Sequence, residues 1–164
     1  MTGKEKLEAF LREHQAPFQM QRHRVAYTAQ DVAASEHIPT QMMAKVAIAF
    51  ADATMIMLVL PASHRIDLTR LSAAIQAQHV HLASEHEIET AFPDCEVGAM
   101  PPFGNLYQLP VYVDRHLTGD HTIVLQAGTH TDTISMKYAD FTRVVKPIVG
   151  DFANHTREIT AGSG

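Results

Sequence analysis

A single cysteine, Cys95, occurs among the 164 residues, so the chain cannot form an internal disulfide and does not carry the framework of a disulfide-stapled secreted scaffold. No nucleophile signature surrounds it, and its place just after Pro93 predicts a small structural side chain in a turn. Long apolar runs are also missing. The longest, Met55 to Pro61, is far shorter than the roughly 20 residues that a membrane-spanning helix needs. Basic residues are outnumbered, 13 Lys and Arg against 18 Asp and Glu, and the net charge of −5 argues against broad nonspecific binding to nucleic acid. Gly-rich phosphate loops, a nucleophile elbow, a Ser-His-Asp order and paired carboxylates are absent too. Nucleotide-dependent redox or kinase chemistry and covalent catalysis therefore have no sequence support. No repeat or low-complexity tract appears. These absences predict one soluble, cytoplasmic domain over residues 1–164, with no membrane partner, no DNA partner and no cofactor.

What is present is patterned for mixed structure. Thr2 with Glu5 has capping-box spacing ahead of Leu7, Phe10 and Leu11, which predicts a helix over residues 3–14. Phe18 to Val25 reads as a strand, and Thr28 with Asp31 opens a short helix through Val32 and Ala34 that Pro39 ends. Two strands follow between Lys45 and Leu60, the second continuously apolar and so covered on both faces. Asp67 caps a helix, His79 to Leu82 is a strand, and Ser84 with Glu87 caps another helix. Strands at 109–113, 122–125 and 133–137 and a helix over 138–145 complete the order, after which a polar tail begins at Asp151. That order predicts an α+β fold, a mixed β-sheet surrounded by helices, rather than alternating βαβ units.

Three places could carry chemistry. Gly98-Ala-Met-Pro-Pro-Phe-Gly104 sets two prolines and an aromatic between glycines, a segment with few conformations to lose and free N–H groups to present. Lys45 is the lone charge opening an apolar strand, either a snorkelling stem or a cation at a pocket mouth that could bind phosphate or polarise a carbonyl. His130 stands in a turn between two predicted strands, idle unless the fold brings it to Lys45. His79, His81 and His86 raise the question of a metal site, but no carboxylate or thiolate follows at a recurrent ligand spacing. No metal is expected.

Taken together, these pieces resemble the YbaK/ProX family, freestanding aminoacyl-tRNA deacylases akin to the editing domain inserted in bacterial prolyl-tRNA synthetase. The resemblance runs from the Tyr27-Thr-Ala-Gln-Asp-Val-Ala-Ala34 helix, through Lys45 at the head of a hydrophobic hairpin and Gly98-Ala-Met-Pro-Pro102 as a Gly-x-x-x-Pro loop, to Ile134–Phe141. It covers a core of about residues 18–147.

The resemblance implies hydrolysis of the ester between a mischarged amino acid and the 3′-terminal adenosine of a tRNA, with alanyl- or cysteinyl-tRNA specific for proline as substrate. The tRNA 3′ aminoacyl end is then the partner, with a synthetase as a second one. By likeness, Lys45 is the electropositive group near the terminal nucleotide or the scissile carbonyl, and N–H groups around Gly98 and Ala99 hold the oxyanion. Pro101 and Pro102 keep those groups rigid. His130 gives a further polar contact, and Tyr27, Val46, Met100 and Phe103 complete the substrate-binding set. Family members often have a small polar residue where this chain has Val46, which cannot donate a hydrogen bond. The competing reading is a catalytically silent module of the same fold that binds a tRNA end, an aminoacyl group or a nucleotide. Either would meet phosphate through local cations such as Arg22, Arg24, Lys137, Arg143 and Lys146, making tRNA binding weak and salt-sensitive.

Overall fold

The computed structural model describes residues 1–119 and 121–155. Local signals in the sequence set most element boundaries. The Thr2 and Glu5 capping box starts α1 (Gly3–Glu13), and β1 (Gln19–Arg22) follows the Pro17 break. Thr28 accepts the Asp31 N–H to start α2 (Ala29–Ser35). The hairpin of β2 (Ala44–Ala51) and β3 (Thr54–Pro61) turns through Asp52 and Ala53, both at positive φ. A short β4 (His64–Ile66) leads to the Asp67 cap of α3 (Leu68–Ile75). Next come β5 (Val80–Leu82), α4 (Glu85–Ala91) with its Ser84 and Glu87 capping box, and β6 (Val111–Asp114). The chain continues through β7 (Thr122–Gln126), β8 (Asp132–Lys137), α5 (Tyr138–Val145), β9 (Ile148–Gly150) and β10 (Ala153–His155).

The fold is α+β, but its strands form three sheets rather than one. The five-stranded mixed sheet has the order β5-β2-β3-β6-β9, with β3, β6 and β9 parallel and β2 antiparallel to both its neighbours. An antiparallel sheet β1-β8-β7 and a two-stranded sheet β10-β4 accompany it. A parallel bridge between Met43 and Val124 joins the first two sheets. The polar tail expected from Asp151 instead contributes β10, because Ala153 is fully buried and pairs with Ile66; residues 156–164 of that tail lie outside the described residues.

Side-chain alternation along β2 divides the interior. Ala44 and Ile48 face the main core, where Leu7 and Leu11 of α1 and Phe141 of α5 meet Phe92 and Phe103, with Val46 packed against it. Met43 and Ala49 face the other way. Met43 joins a small core under α2 with Ala26, Val32, Ala33 and Val124, while Ala49 joins Ile56, Leu58, Leu71 and Phe152. Lys45 occurs between those two residues on the second face. The interior also draws on residues outside 18–147, since Leu7, Leu11 and Phe152 are fully buried.

Candidate functional site

The Gly98 loop is held from both sides. Gly98 takes φ +88°, a conformation that side chains disfavour, and a Cβ added there would lie 3.6 Å from His130 Cε1. Glu96 N–H donates to the Gly128 carbonyl at 2.8 Å, and Gly128 N–H donates back to the Ala99 carbonyl at 2.8 Å, fastening the loop to the turn after β7. At the other end of the loop Gly104 lies so close to Val111 that a Cβ would come within 2.6 Å of its Cγ2.

This packing corrects several expected roles. Ala99 N–H already donates to the Glu96 carbonyl at 3.0 Å, so it is not available to an oxyanion. Among the described residues, the N–H groups of Gly98, Met100 and Gly104 have no internal acceptor, and the first two flank Ala99. The side chains of Met100 and Phe103 lie in the main core, Phe103 edge-on to Phe10 and Phe141 at 5.9 and 5.6 Å between ring centroids. They form the floor beneath the loop rather than a pocket wall. Val46 likewise points to the main core, on the opposite side of its strand from Lys45.

His130 and Tyr27 do join Gly98. Ala26 N–H donates to the His130 carbonyl at 3.1 Å, which draws the segment before α2 across the turn that carries His130. The Tyr27 ring then covers the imidazole at 4.9 Å, while the Tyr27 carbonyl lies 3.9 Å from the Cβ position of Gly98. His130 is only 9% exposed, and its Nε2 lies 2.8 Å from the Val97 carbonyl. A carbonyl only accepts, so Nε2 carries the proton and Nδ1 offers a lone pair. Nδ1 is buried and unpartnered among the described residues.

Strand register relates Lys45 to the end of β7, the strand that leads into the turn carrying His130. Two residues beyond the Met43–Val124 bridge, Lys45 in β2 and Gln126 at the end of β7 are presented on the same face, the one α2 covers. Burial holds the Lys45 ammonium below the usual lysine range. On its other flank lies His64, whose own pKa is lowered by burial and by the charges of His116, His155 and Lys45. Ser63 Oγ, 2.8 Å from His64 Nδ1, is also 3.3 Å from Gln41 Oε1, so a polar chain supports this flank.

Among the described residues the one grouping dense enough for a metal ion is Asp114, His116 and Asp151, not His79, His81 and His86. Its acceptor capacity is already committed. Asp114 accepts the Phe152, Ala153 and His116 N–H groups and His116 Nδ1, and Asp151 bridges Arg70 and Arg115. The grouping fits a structural junction better than an ion. Cys95 is held by Tyr107 Oη at 3.2 Å, and burial pushes its thiol up to about 11, so it is no nucleophile at neutral pH. Of the cations expected to meet phosphate, Arg143 is engaged by the carbonyls of His14 and Gln15 and by Asp140. Sequence reasoning missed Gln126, whose polar character at the end of an otherwise apolar strand was the available signal.

Comparison with known proteins extends the picture. A family model described as an aminoacyl-tRNA editing domain matches residues 23–144. No curated protein matches the chain significantly. Among solved structures, hypothetical protein APE2540 superposes with a TM-score of 0.83 at 17% identity, covering 91% of this chain and 99% of its own. A structure described as "a putative trans-editing enzyme for prolyl tRNA synthetase" superposes with a TM-score of 0.79 at 15% identity, covering 94% and 98%. At these identities the likeness is one of fold.

Proposed function

This chain belongs to the aminoacyl-tRNA editing domain family, and we propose from that premise that it is a trans-acting deacylase, hydrolysing the ester of a mischarged tRNA. The substrates that fit are alanyl- and cysteinyl-tRNA specific for proline. The observation that supports this reading is the meeting of Gly98, Tyr27 and His130 at the turn after β7, a strand whose last residue, Gln126, shares a face with Lys45.

Each group has a task in ester hydrolysis. Water adds to the acyl carbonyl, the carbonyl π pair moves onto oxygen, and the free Gly98 and Met100 N–H groups stabilise that oxyanion. Collapse breaks the acyl C–O bond, the water proton passes to the terminal ribose oxygen, and free amino acid and deacylated tRNA leave. Lys45 supplies positive charge to the terminal phosphate or the developing oxyanion. His130 Nδ1 accepts from a substrate N–H or O–H, and Tyr27 shields that contact from solvent. Pro101 and Pro102 restrict the loop so that its donors are aligned before substrate arrives. No side chain in this set is placed as a covalent nucleophile, so attack by water is the consistent route. With the Val46 side chain in the main core, selection among small amino acids rests on pocket volume and on polar groups other than that residue.

The protein would be incubated with Ala-tRNA(Pro), Cys-tRNA(Pro) and correctly charged Pro-tRNA(Pro). Release of alanine or cysteine with Pro-tRNA(Pro) spared is the expected result. Binding of all three without release would overturn the proposal in favour of a silent binding module.

A further inference from the structure

Five side-chain polar atoms are buried with no hydrogen-bond partner among the described residues, and two of them, His130 Nδ1 and Gln126 Nε2, belong to β7 and the turn that follows it. The first is an acceptor already given a task; the second is a donor, and nothing in the reaction outlined above uses it. Gln126 is only 5% exposed. An orphaned buried amide costs on the order of 1–3 kcal/mol, so a strand that ends Ile123-Val-Leu-Gln126 carries a stability penalty an apolar residue would avoid. The residue across from it gives no relief: Thr133, its partner in β8, directs its hydroxyl to the Gln21 carbonyl at 3.5 Å. Register supplies the second observation, because the Met43–Val124 bridge presents Gln126 on the same face as Lys45.

We infer that Gln126 is a substrate-contact residue whose carboxamide donates a hydrogen bond to an acceptor oxygen of the aminoacyl-adenosine end, supplying the polar recognition that Val46 does not. This rests on the proposed ester hydrolysis. A site built to hydrogen-bond its ligand discriminates more sharply than one that measures volume, because the wrong ligand leaves the buried amide unpaired. The acceptor is the terminal ribose hydroxyl or the acyl carbonyl oxygen, and both are borne by the same substrate end.

The test uses the full chain and the variants Gln126→Met and Gln126→Leu, which keep the volume and remove the amide. The expected result is a Tm equal to or above the parent with kcat/KM on Ala-tRNA(Pro) about tenfold lower. The non-hydrolysable probe 3′-alanylamino-3′-deoxyadenosine should raise the parent's Tm and raise that of Gln126→Met less. A substrate ending in 2′-deoxyadenosine separates the two acceptors: an unchanged penalty for Gln126→Met assigns the carbonyl, and a vanished penalty assigns the ribose. Parental kcat/KM in both variants, or a lowered Tm in both with parental probe binding, overturns the inference and makes Gln126 structural. A parent that hydrolyses none of the mischarged tRNAs fails the functional reading itself, a result distinct from either.

Discussion

Tyr27 lies over His130 with ring centroids 4.9 Å apart and planes inclined by 56°, although Tyr27 is 68% exposed while His130 is almost fully buried. One ring therefore serves as cover for the other. An aromatic pair contributes about 0.5–1.5 kcal/mol beyond the area it buries, so Tyr27→Ala should raise KM for mischarged tRNA by roughly 2- to 12-fold and leave Tm nearly unchanged. Tyr27→Phe keeps the ring and should behave as the parent. Steady-state deacylation with both variants checks this, and equal losses in the two would assign the effect to the hydroxyl instead.

Gly98 gives a second expectation, because its φ of +88° and the free space around it can be separated. A Cβ would meet His130 Cε1 at 3.6 Å, ordinary contact, so Gly98→Ala brings conformational strain without a clash. The cost of a side chain in the left-handed region is about 1–2 kcal/mol. Urea unfolding should show that loss, and kcat should fall further than stability does, since relaxation of the strain turns the Gly98 N–H away from the oxyanion. An unchanged kcat would remove that N–H from the site.

Phe103 should behave in the opposite way. Its ring is fully buried between Phe10 and Phe141, so Phe103→Ala should cost about 3–5 kcal/mol in denaturant unfolding. Phe103→Leu should cost less, and kcat/KM per folded molecule should hold. A selective rise in KM for Phe103→Leu would restore the substrate-binding role that the family resemblance implied.

Much of this is legible in the sequence. Capping boxes at Thr2 and Ser84, the Asp67 cap and the apolar run Met55–Pro61 are local signals, and each produced the element it predicts. The strands β4, β9 and β10 were not, because three residues are too few to show a period and their pairing depends on partners distant in sequence, such as Ala153 with Ile66. The candidate site divides in the same manner. Lys45, Gly98 and His130 announce themselves by residue type, whereas the direction of Met100 and Phe103 into the core depends on how the loop packs on α1 and α5. Gln126 escaped notice because an isolated glutamine has no motif, and its polar character at the end of β7 gains meaning only from its burial without a partner.

The thiol of Cys95 should react slowly. Burial raises it from 9.0 to about 11, and Tyr107 and Asp94 surround it. Two units correspond to an about hundredfold smaller thiolate fraction at pH 8, and the thiolate is the reacting form. An aromatic disulfide reagent should therefore modify native protein at least about a hundredfold more slowly than protein unfolded in guanidinium. Deacylation should persist in Cys95→Ser. Rapid modification of the native chain would contradict the buried placement.

Lys45 carries the most exacting expectation, because burial lowers its pKa and so ties both activity and stability to pH. Deacylation that needs the ammonium should decline as pH rises through that lowered pKa, on a limb that begins below the ordinary lysine value of about 10.4. In Lys45→Arg the guanidinium stays charged and the limb should disappear from the accessible range. Lys45→Met should lose about a hundredfold or more in kcat/KM, comparable to removing one oxyanion donor. Stability should move the other way. Between the folded and unfolded pKa values the unfolded chain binds more protons, so parent stability rises with pH there, and below that window the penalty of the half-buried ammonium is constant. Lys45→Met should accordingly have a higher Tm than the parent at pH 7, by a margin that shrinks toward pH 10. A Lys45→Arg profile that retains the parent's alkaline limb, after subtraction of uncatalysed ester hydrolysis, would show that another group titrates and that the Lys45 charge is not what the reaction requires.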